Sequence, residues 1–261
     1  CDQIVHGAPA ALAAPTDSFA SYPPYWSLLP GTDEAQPKRV DCPDLVGQML
    51  ELLRRTGSHC AGKMNTARVT KVVRIEDPRL WSIYAAKKQA MDTLHKKLGL
   101  CVRPLDPELA FGHRMPGFTA LDNELNEKYL FHGTKQNTAE IVARANFDER
   151  VSNMDGLYGA GSYFAENACK SLQYCDTTGP RCMFYCRVLL GDPYYANSHL
   201  QKLRRAPHRP SSDSFTFDSV VALPGARPGT AIPFLNQQHH REFVVYDSAQ
   251  VYPEYLIIFD V

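Results

Sequence analysis

The sequence predicts an α+β fold in which many short strands are interspersed with a few helices. The chain has 261 residues, enough for one large domain with a sizeable core. A long helical pattern covers residues 78–98. From residue 128 onward the apolar segments become short and β-rich, and they alternate with brief helical stretches. This mixture is typical of the α+β class.

Composition and charge exclude several classes of protein. Lysine plus arginine equals aspartate plus glutamate, at 28 each, so no overall field favours nucleic acid or an anionic membrane. No apolar run reaches the ~18 residues of a membrane span. Eight cysteines without a Cys-x-x-Cys pair indicate a reducing compartment, and we expect an intracellular protein, cytoplasmic or nuclear. Cys175, Cys182 and Cys186 lack the spacing of a structural zinc site, so no metal is predicted.

The chain divides into an N-terminal segment and one domain. Residues 1–43 hold seven of the 19 prolines, and "YPPYW" at 22–26 is the best candidate for an anchor onto the core. We therefore expect residues 1–21 to be irregular and residues 22–261 to form the domain.

Three elements follow the N-terminal segment. "DLVGQMLELLRR" at 44–55 places its apolar residues at helical spacing. "RVTKVVRI" at 68–75 is a strand through its valines. The helix over 78–98 has Asp77 as its N-cap, proline at its first position and Gly99 as its stop.

The second half begins with a strand, "YLFHG" at 129–133, and a helix at 137–145. Asn137 and Glu140 in that helix resemble a capping box. A loop is predicted over about 148–160. The later elements are a strand at 162–164, a helix at 166–174, and strands at 181–190, 218–223, 241–247 and 254–259.

A basic, proline-bearing stretch at 197–215 is predicted to be a surface loop.

The stretch "FHGT" contains the first candidate site residues. His132 lies at the end of a strand and is followed at once by Gly133 and Thr134. A glycine beside an imidazole lets a flat polar ligand reach the main-chain N–H and C=O. On this stretch alone, a buried histidine next to a turn glycine is the better interpretation.

The stretch "YGAGSYFAENACKSLQYC" contains the second group. Gly159 and Gly161 relieve crowding before Tyr163, while Ser171 and Tyr174 lie on one side of the following helix. A planar ring could lie between the two tyrosines with the serine hydroxyl on its substituent. Two tyrosines of an ordinary core are the alternative.

The stretch "REFVVYD" places Glu242 on the same strand face as Val244 and Tyr246. A carboxylate in an apolar strand is costly unless it is paired or functional. The alternative is that Glu242 lies at an exposed strand end.

Together these stretches resemble the catalytic domain of the poly(ADP-ribose) polymerases, the diphtheria-toxin-like ADP-ribosyltransferases. "FDER", "GAGSYFAEN" and "YPEYLI" are similar to tankyrase. "VTKVVRIEDPRLWSIYAAKKQAM" is similar to the smaller, mostly mono-transferring members, which lack the helical regulatory domain. The resemblance covers about 22–261 and implies two antiparallel sheets packed with a few helices around an NAD cleft. The zinc-ligand insertion of tankyrase has no counterpart in "CDTTGPRCMFYC".

The resemblance also implies roles for single residues. His132, Tyr163 and Glu242 match the His-Tyr-Glu triad, with His132 on the adenine-ribose hydroxyl and Glu242 on the nicotinamide-ribose hydroxyl. Gly133 and Ser171 would hold the carboxamide of nicotinamide. The further NAD-binding positions are Thr134, Tyr174, which would stack on the nicotinamide ring, and Arg150, which is a candidate for the pyrophosphate or a solvated loop residue.

The implied activity is transfer of ADP-ribose from NAD to protein acceptors, among them the protein itself. Glu242 favours elongation into poly(ADP-ribose), and single transfer is the alternative. A catalytically silent NAD or ADP-ribose reader is a further alternative. A Rossmann dehydrogenase is excluded, because "GAGS" lacks the third glycine and a surrounding βαβ unit.

Overall fold

The computed structural model describes residues 22–28, 36–57, 62–105, 121–210, 212–222 and 240–261. The expected irregular segment 1–21 lies outside them. In these residues the chain forms eleven strands and four helices. The strands are β1 (Lys38–Asp41), β2 (Arg68–Glu76), β3 (Glu127–Thr134), β4 (Ser162–Ala165), β5 (Arg181–Leu189), β6 (Pro193–Ala196), β7 (His208–Arg209), β8 (Ser212–Thr216), β9 (Ser219–Ala222), β10 (Glu242–Val245) and β11 (Val251–Asp260). The helices are α1 (Val46–Gly57), α2 (Pro78–Leu98), α3 (Gln136–Ala145) and α4 (Ala168–Ser171).

The predicted α+β class is confirmed. Nine strands form one sheet in the order β1-β2-β11-β5-β3-β4-β10-β9-β6, and β7 pairs with β8 in a separate hairpin. All neighbours are antiparallel except β6 and β9. Strands β3 and β4 share only the pair Phe131 and Ala165. The large sheet therefore has two halves that meet at a single bridge; the half that ends at β3 is antiparallel throughout, and the half that begins at β4 includes the parallel pair β6 and β9.

Helix α2 forms as the sequence predicts. The Asp77 carboxylate accepts a hydrogen bond from the Leu80 N–H at 3.0 Å, and Gly99 closes the helix in the left-handed conformation, with φ of 62°. Such a cap stabilises a helix by about 1 kcal/mol. Its apolar face contacts Trp26, the last residue of the predicted anchor, through Trp81.

The predicted capping box of α3 is wrong. The residue before the helix is Lys135, and no side chain caps it locally. Instead the Gln136 N–H donates to the carboxylate of Asp176, 40 residues further along the chain, at 2.8 Å. A tertiary contact has replaced the local one.

The stretch predicted as a surface loop, 197–215, is only partly one. Its second half forms β7 and most of β8. Arg209 is buried, and its guanidinium pairs with the carboxylates of Asp192 and Asp218. A basic residue in this stretch is thus a structural anchor rather than a solvated charge.

A buried charge network ties the anchor segment to the large sheet. Arg187 on β5 lies between Glu127, at 3.0 Å, and Glu254, at 2.6 Å. Tyr25 donates a hydrogen bond to Glu254. Burial alone would raise the pKa of Glu127, but Arg187 and Lys88 hold that pKa below its usual range.

The six cysteines of the described ranges are free thiols. Across those same ranges, no group of three or more metal-binding side chains comes together, and no helix is both long and apolar enough to cross a bilayer.

Candidate active site

A cavity of about 580 Å³ opens next to the bridge between the two halves of the sheet. Its size falls in the range of about 300–1,000 Å³ that small-molecule sites occupy. Past the bridge, β3 and β4 no longer pair, and the cavity lies between them, the end of α4 and the loop over 147–157. Seven of the eight predicted site residues line it: His132, Gly133, Thr134, Tyr163, Ser171, Tyr174 and Glu242.

His132 bonds to the neighbouring strand beyond the bridge. Its Nδ1 lies 2.8 Å from the carbonyl oxygen of Tyr163. A carbonyl can only accept, so Nδ1 carries the proton and a neutral ring has Nε2 available as an acceptor. Burial lowers the pKa of His132, and the bond to the Tyr163 carbonyl opposes this only in part. Phe147 and Phe164 pack against the ring.

Tyr163 lines the cavity, while its hydroxyl is bound within the preceding turn. The hydroxyl donates to the Gly159 carbonyl at 2.8 Å and accepts from the Tyr158 N–H at 2.9 Å. Both bonds hold the turn that precedes the strand. Burial raises the pKa of Tyr163 to about 12, with a smaller contribution from Glu242. The phenol therefore stays protonated at neutral pH.

Gly133 is in close contact with α4. A Cβ added at this position would lie 1.8 Å from the carbonyl oxygen of Ser171 and 3.2 Å from the sulfur of Cys175. The prediction explained this glycine by the approach of a ligand. The structure adds a second reason, since only glycine lets α4 pack this closely against β3. The Ser171 hydroxyl meanwhile donates to the Phe131 carbonyl at 3.2 Å.

Tyr174 lies at the end of the short 3-10 turn that follows α4. Its ring is 52% exposed although it lines the cavity. The ammonium of Lys170 lies 5.7 Å from the ring centre. A half-exposed aromatic ring with a cation on one side can stack against a flat ligand.

Glu242 is buried, which rules out the exposed strand end considered above. It is the first residue of β10, opposite Ala165 of β4, and its side chain is only 4% exposed. One carboxylate oxygen lies 3.2 Å from the Lys170 ammonium. A buried carboxylate held by a cation at a cavity wall is a fixed negative charge that can stabilise a developing positive one.

Lys170 was not predicted from the sequence. The only signal in the sequence was that Lys170 directly precedes Ser171, a predicted site residue. Lys170 and Glu242 are 72 positions apart in the sequence, so no local pattern shows that pairing.

Two further buried contacts flank Glu242 and Lys170, and the sequence predicted neither. Arg241 makes two hydrogen bonds to the Glu166 carboxylate, at 2.7 and 3.1 Å. The Cys169 sulfur lies 3.4 Å from Nε2 of His240. These contacts join the two residues just before β10 to the α4 region, next to the ion pair.

Arg150 does not line the cavity. It is 84% exposed, and both arms of its guanidinium bond to Asp148 at 2.8 Å. Asp148 itself lines the cavity. A pyrophosphate contact by Arg150 stays a prediction, and it requires the guanidinium to leave this carboxylate.

A family model described as the poly(ADP-ribose) polymerase catalytic domain matches residues 48–261. The chain belongs to this family. The resemblance drawn from the sequence motifs is thereby confirmed, and the poly(ADP-ribose) polymerase catalytic domain explains why the predicted residues share one cavity.

Three curated relatives are similar to this chain over most of its length. Protein mono-ADP-ribosyltransferase PARP11 of Mus musculus is 28% identical over an alignment 245 residues long, and this alignment covers 83% of this chain and 62% of that protein. Protein mono-ADP-ribosyltransferase PARP12 of Mus musculus is 31% identical over 72% of this chain and 21% of its own length. Protein mono-ADP-ribosyltransferase PARP14 of Homo sapiens is 28% identical over 74% of this chain and 9% of its own length. The chain thus spans less than two thirds of each of these relatives.

Proposed function

We propose that this poly(ADP-ribose) polymerase catalytic domain transfers a single ADP-ribose unit from NAD to a protein acceptor and releases nicotinamide. The observation that carries the transferase part of the proposal is the buried carboxylate of Glu242, which lines the same cavity as His132, Ser171 and Tyr174. Family membership and the names of the three relatives support it.

Each cavity residue has a chemical part in binding NAD as the substrate. The neutral Nε2 of His132 accepts a hydrogen bond from a ribose hydroxyl. Backbone groups of Gly133 and the hydroxyl of Ser171 suit the carboxamide of nicotinamide. The exposed ring of Tyr174 stacks on the nicotinamide ring, and the ring of Tyr163 closes the other side.

The reaction breaks the bond between C1′ of the ribose and the nicotinamide nitrogen. The bonding electrons leave with neutral nicotinamide, and C1′ gains oxocarbenium character, as in glycoside cleavage. Glu242 stabilises this charge from a fixed position, where Lys170 keeps it. The acceptor nucleophile then forms the new bond to C1′ and gives up its proton, directly or through water, to solvent.

We propose single transfer rather than elongation of a poly(ADP-ribose) chain. Glu242 led the sequence to predict elongation, because a carboxylate there can polarise an incoming ribose hydroxyl. The three relatives that share 28–31% of their aligned residues with this chain are all named mono-ADP-ribosyltransferases. Their names therefore support single transfer, the alternative, over elongation, the main prediction.

Incubation with labelled NAD tests both parts of the proposal. We expect nicotinamide release and, by intact-mass measurement, protein adducts of one ADP-ribose at each modified residue. Adducts that grow into a ladder with time would replace single transfer by elongation. NAD binding without nicotinamide release would instead favour the silent reader.

A further inference from the structure

The wall of the cavity is backed by a second segment of chain, residues 197–205, which we name the basic loop. Three backbone hydrogen bonds join the basic loop to the wall: Leu200 N–H to Leu157 at 2.8 Å, Lys202 N–H to Met154 at 3.2 Å, and Ala160 N–H to Leu203 at 2.7 Å. Hydrogen-bonded segments lie about 5 Å apart. The basic loop is thus one chain width away from residues that line the cavity.

Three cations of the basic loop face solvent. Lys202, Arg204 and Arg205 are exposed. Within the part of the chain that the structure describes, none of them is within 4.0 Å of a carboxylate oxygen. Arg209, four residues further on, differs in being buried between Asp192 and Asp218. The three cations therefore face solvent, and no ion pair in the described part of the chain neutralises them.

The basic loop is held in place from both sides. The backbone bonds to the cavity wall fix its middle, and the buried Arg209 fixes the chain just after it. Lys202 adopts φ of 66°, a left-handed conformation that glycine favours and lysine rarely adopts. This turn places the Lys202 side chain on the solvent side of the loop, beside the cavity wall.

We infer that Lys202, Arg204 and Arg205 recognise an acidic segment of the protein acceptor beside the residue that receives ADP-ribose. The inference rests on the proposed function and adds a substrate class to it. A pre-positioned surface of three cations matches a short run of carboxylates at small entropic cost. Nucleic acid fits less well, since three cations neutralise few phosphates and this chain has no net charge.

Two synthetic peptides test the inference with the full chain. Both carry the same central glutamate, serine, lysine and cysteine as possible acceptors. One is flanked by four cysteic acids, whose sulfonates are charged but poor acceptors, and the other by four asparagines. We expect the acidic peptide to be modified with about tenfold higher kcat/KM at 50 mM salt, mostly through KM, and the difference to shrink at 300 mM salt.

Two triple variants, each of which removes three positive charges, test which cations cause the preference for the acidic peptide. K202Q/R204Q/R205Q should abolish the preference while nicotinamide release without peptide stays unchanged. K63Q/R68Q/K97Q removes the same charge from exposed residues elsewhere and should keep the preference. Equal rates for both peptides with the unaltered chain, or equal loss in both variants, would overturn the inference.

Fluorescence anisotropy of the labelled peptides separates this inference from the proposed function. Selective binding of the acidic peptide without any transfer would refute the proposed function. The inferred role of the three cations in binding an acidic segment would still hold. A uridine 20-mer that binds the three cations more tightly than the acidic peptide does would overturn the inference in favour of nucleic acid.

Discussion

Substitution of Gly133 by alanine tests the packing at the centre of the site. The added Cβ would lie 1.8 Å from the Ser171 carbonyl oxygen, whereas real Cβ atoms essentially never come closer than 3.0 Å to another heavy atom. The obstructing atom belongs to the backbone, so no side-chain rotation relieves the contact. Helix α4 must therefore move by more than an ångström.

The size of the effect follows from what holds α4. The Asn167 side chain and the Ala168 N–H bond to Thr56 at the end of α1, at 3.2 and 3.3 Å. A shift of α4 strains these buried bonds, and overpacking of this kind costs about 1–3 kcal/mol. Ser171 and Lys170 move together with α4. A displacement of about 1 Å in a catalytic arrangement lowers the rate by about 100-fold.

Two measurements check this prediction. Urea unfolding gives the free energy of unfolding of Gly133→Ala, and nicotinamide release from NAD gives its rate. Gly47→Ala is the matched control, since Gly47 lies in α1 with nothing within 4 Å of the added Cβ. The control should keep full activity and gain stability, by up to about 0.5–1 kcal/mol, because alanine favours a helix.

The reasoning fails if Gly133→Ala has the same free energy of unfolding and the same rate of nicotinamide release as the unaltered chain. The approach of α4 to β3 would then not constrain this position. A loss of activity with unchanged stability would also count against it, because it would mean that the glycine serves only a ligand. Substitution by tryptophan cannot separate these cases, since the alanine methyl already meets the Ser171 carbonyl.

Four further substitutions probe other residues. Glu242→Gln should lower transfer by at least about 100-fold and leave the NAD dissociation constant, measured by calorimetry, within about threefold; an equal loss of both would contradict its role. Tyr174→Ala should raise KM for NAD by about two- to tenfold with no change in unfolding, because the ring is half exposed. Arg187→Met should cost about 3–5 kcal/mol in urea unfolding, since it leaves the buried Glu254 without its cation and Glu127 with Lys88 alone, and a change below 1 kcal/mol would refute that. The lowered pKa of His132 means that the unfolded chain binds the proton more readily, so stability falls as pH drops below about 6.5; His132→Gln should flatten that slope between pH 7 and 5.

The fold was predictable where local signals agree with tertiary packing. Helix α2 has its cap, its proline and its terminal glycine in the sequence, and it begins and ends as predicted. The short strands β1, β6, β7 and β8 were missed, because two to five residues carry too little periodicity. The start of α3 was misread, since its partner Asp176 comes from another part of the chain.

The site was predictable in its residue types but less so in its contacts. His132, Tyr163, Ser171 and Glu242 were all named from the sequence and share one cavity. Their hydrogen bonds could not be predicted. The hydroxyl of Tyr163, for example, both donates and accepts within its own turn, and no local sequence pattern shows this.

The position of the cavity follows from where the sheet stops bonding to itself. Past the bridge of Phe131 and Ala165, β3 and β4 separate, and backbone pairing that would continue toward Gly133 and Tyr163 is absent. The imidazole of His132 occupies part of this gap by bonding to the Tyr163 carbonyl. The remaining space has strand backbone on both sides, which a planar amide can approach. A site of this kind depends on ending the pairing at one residue, so the glycine after His132 and the tight turn before Tyr163 matter as much as the charged groups.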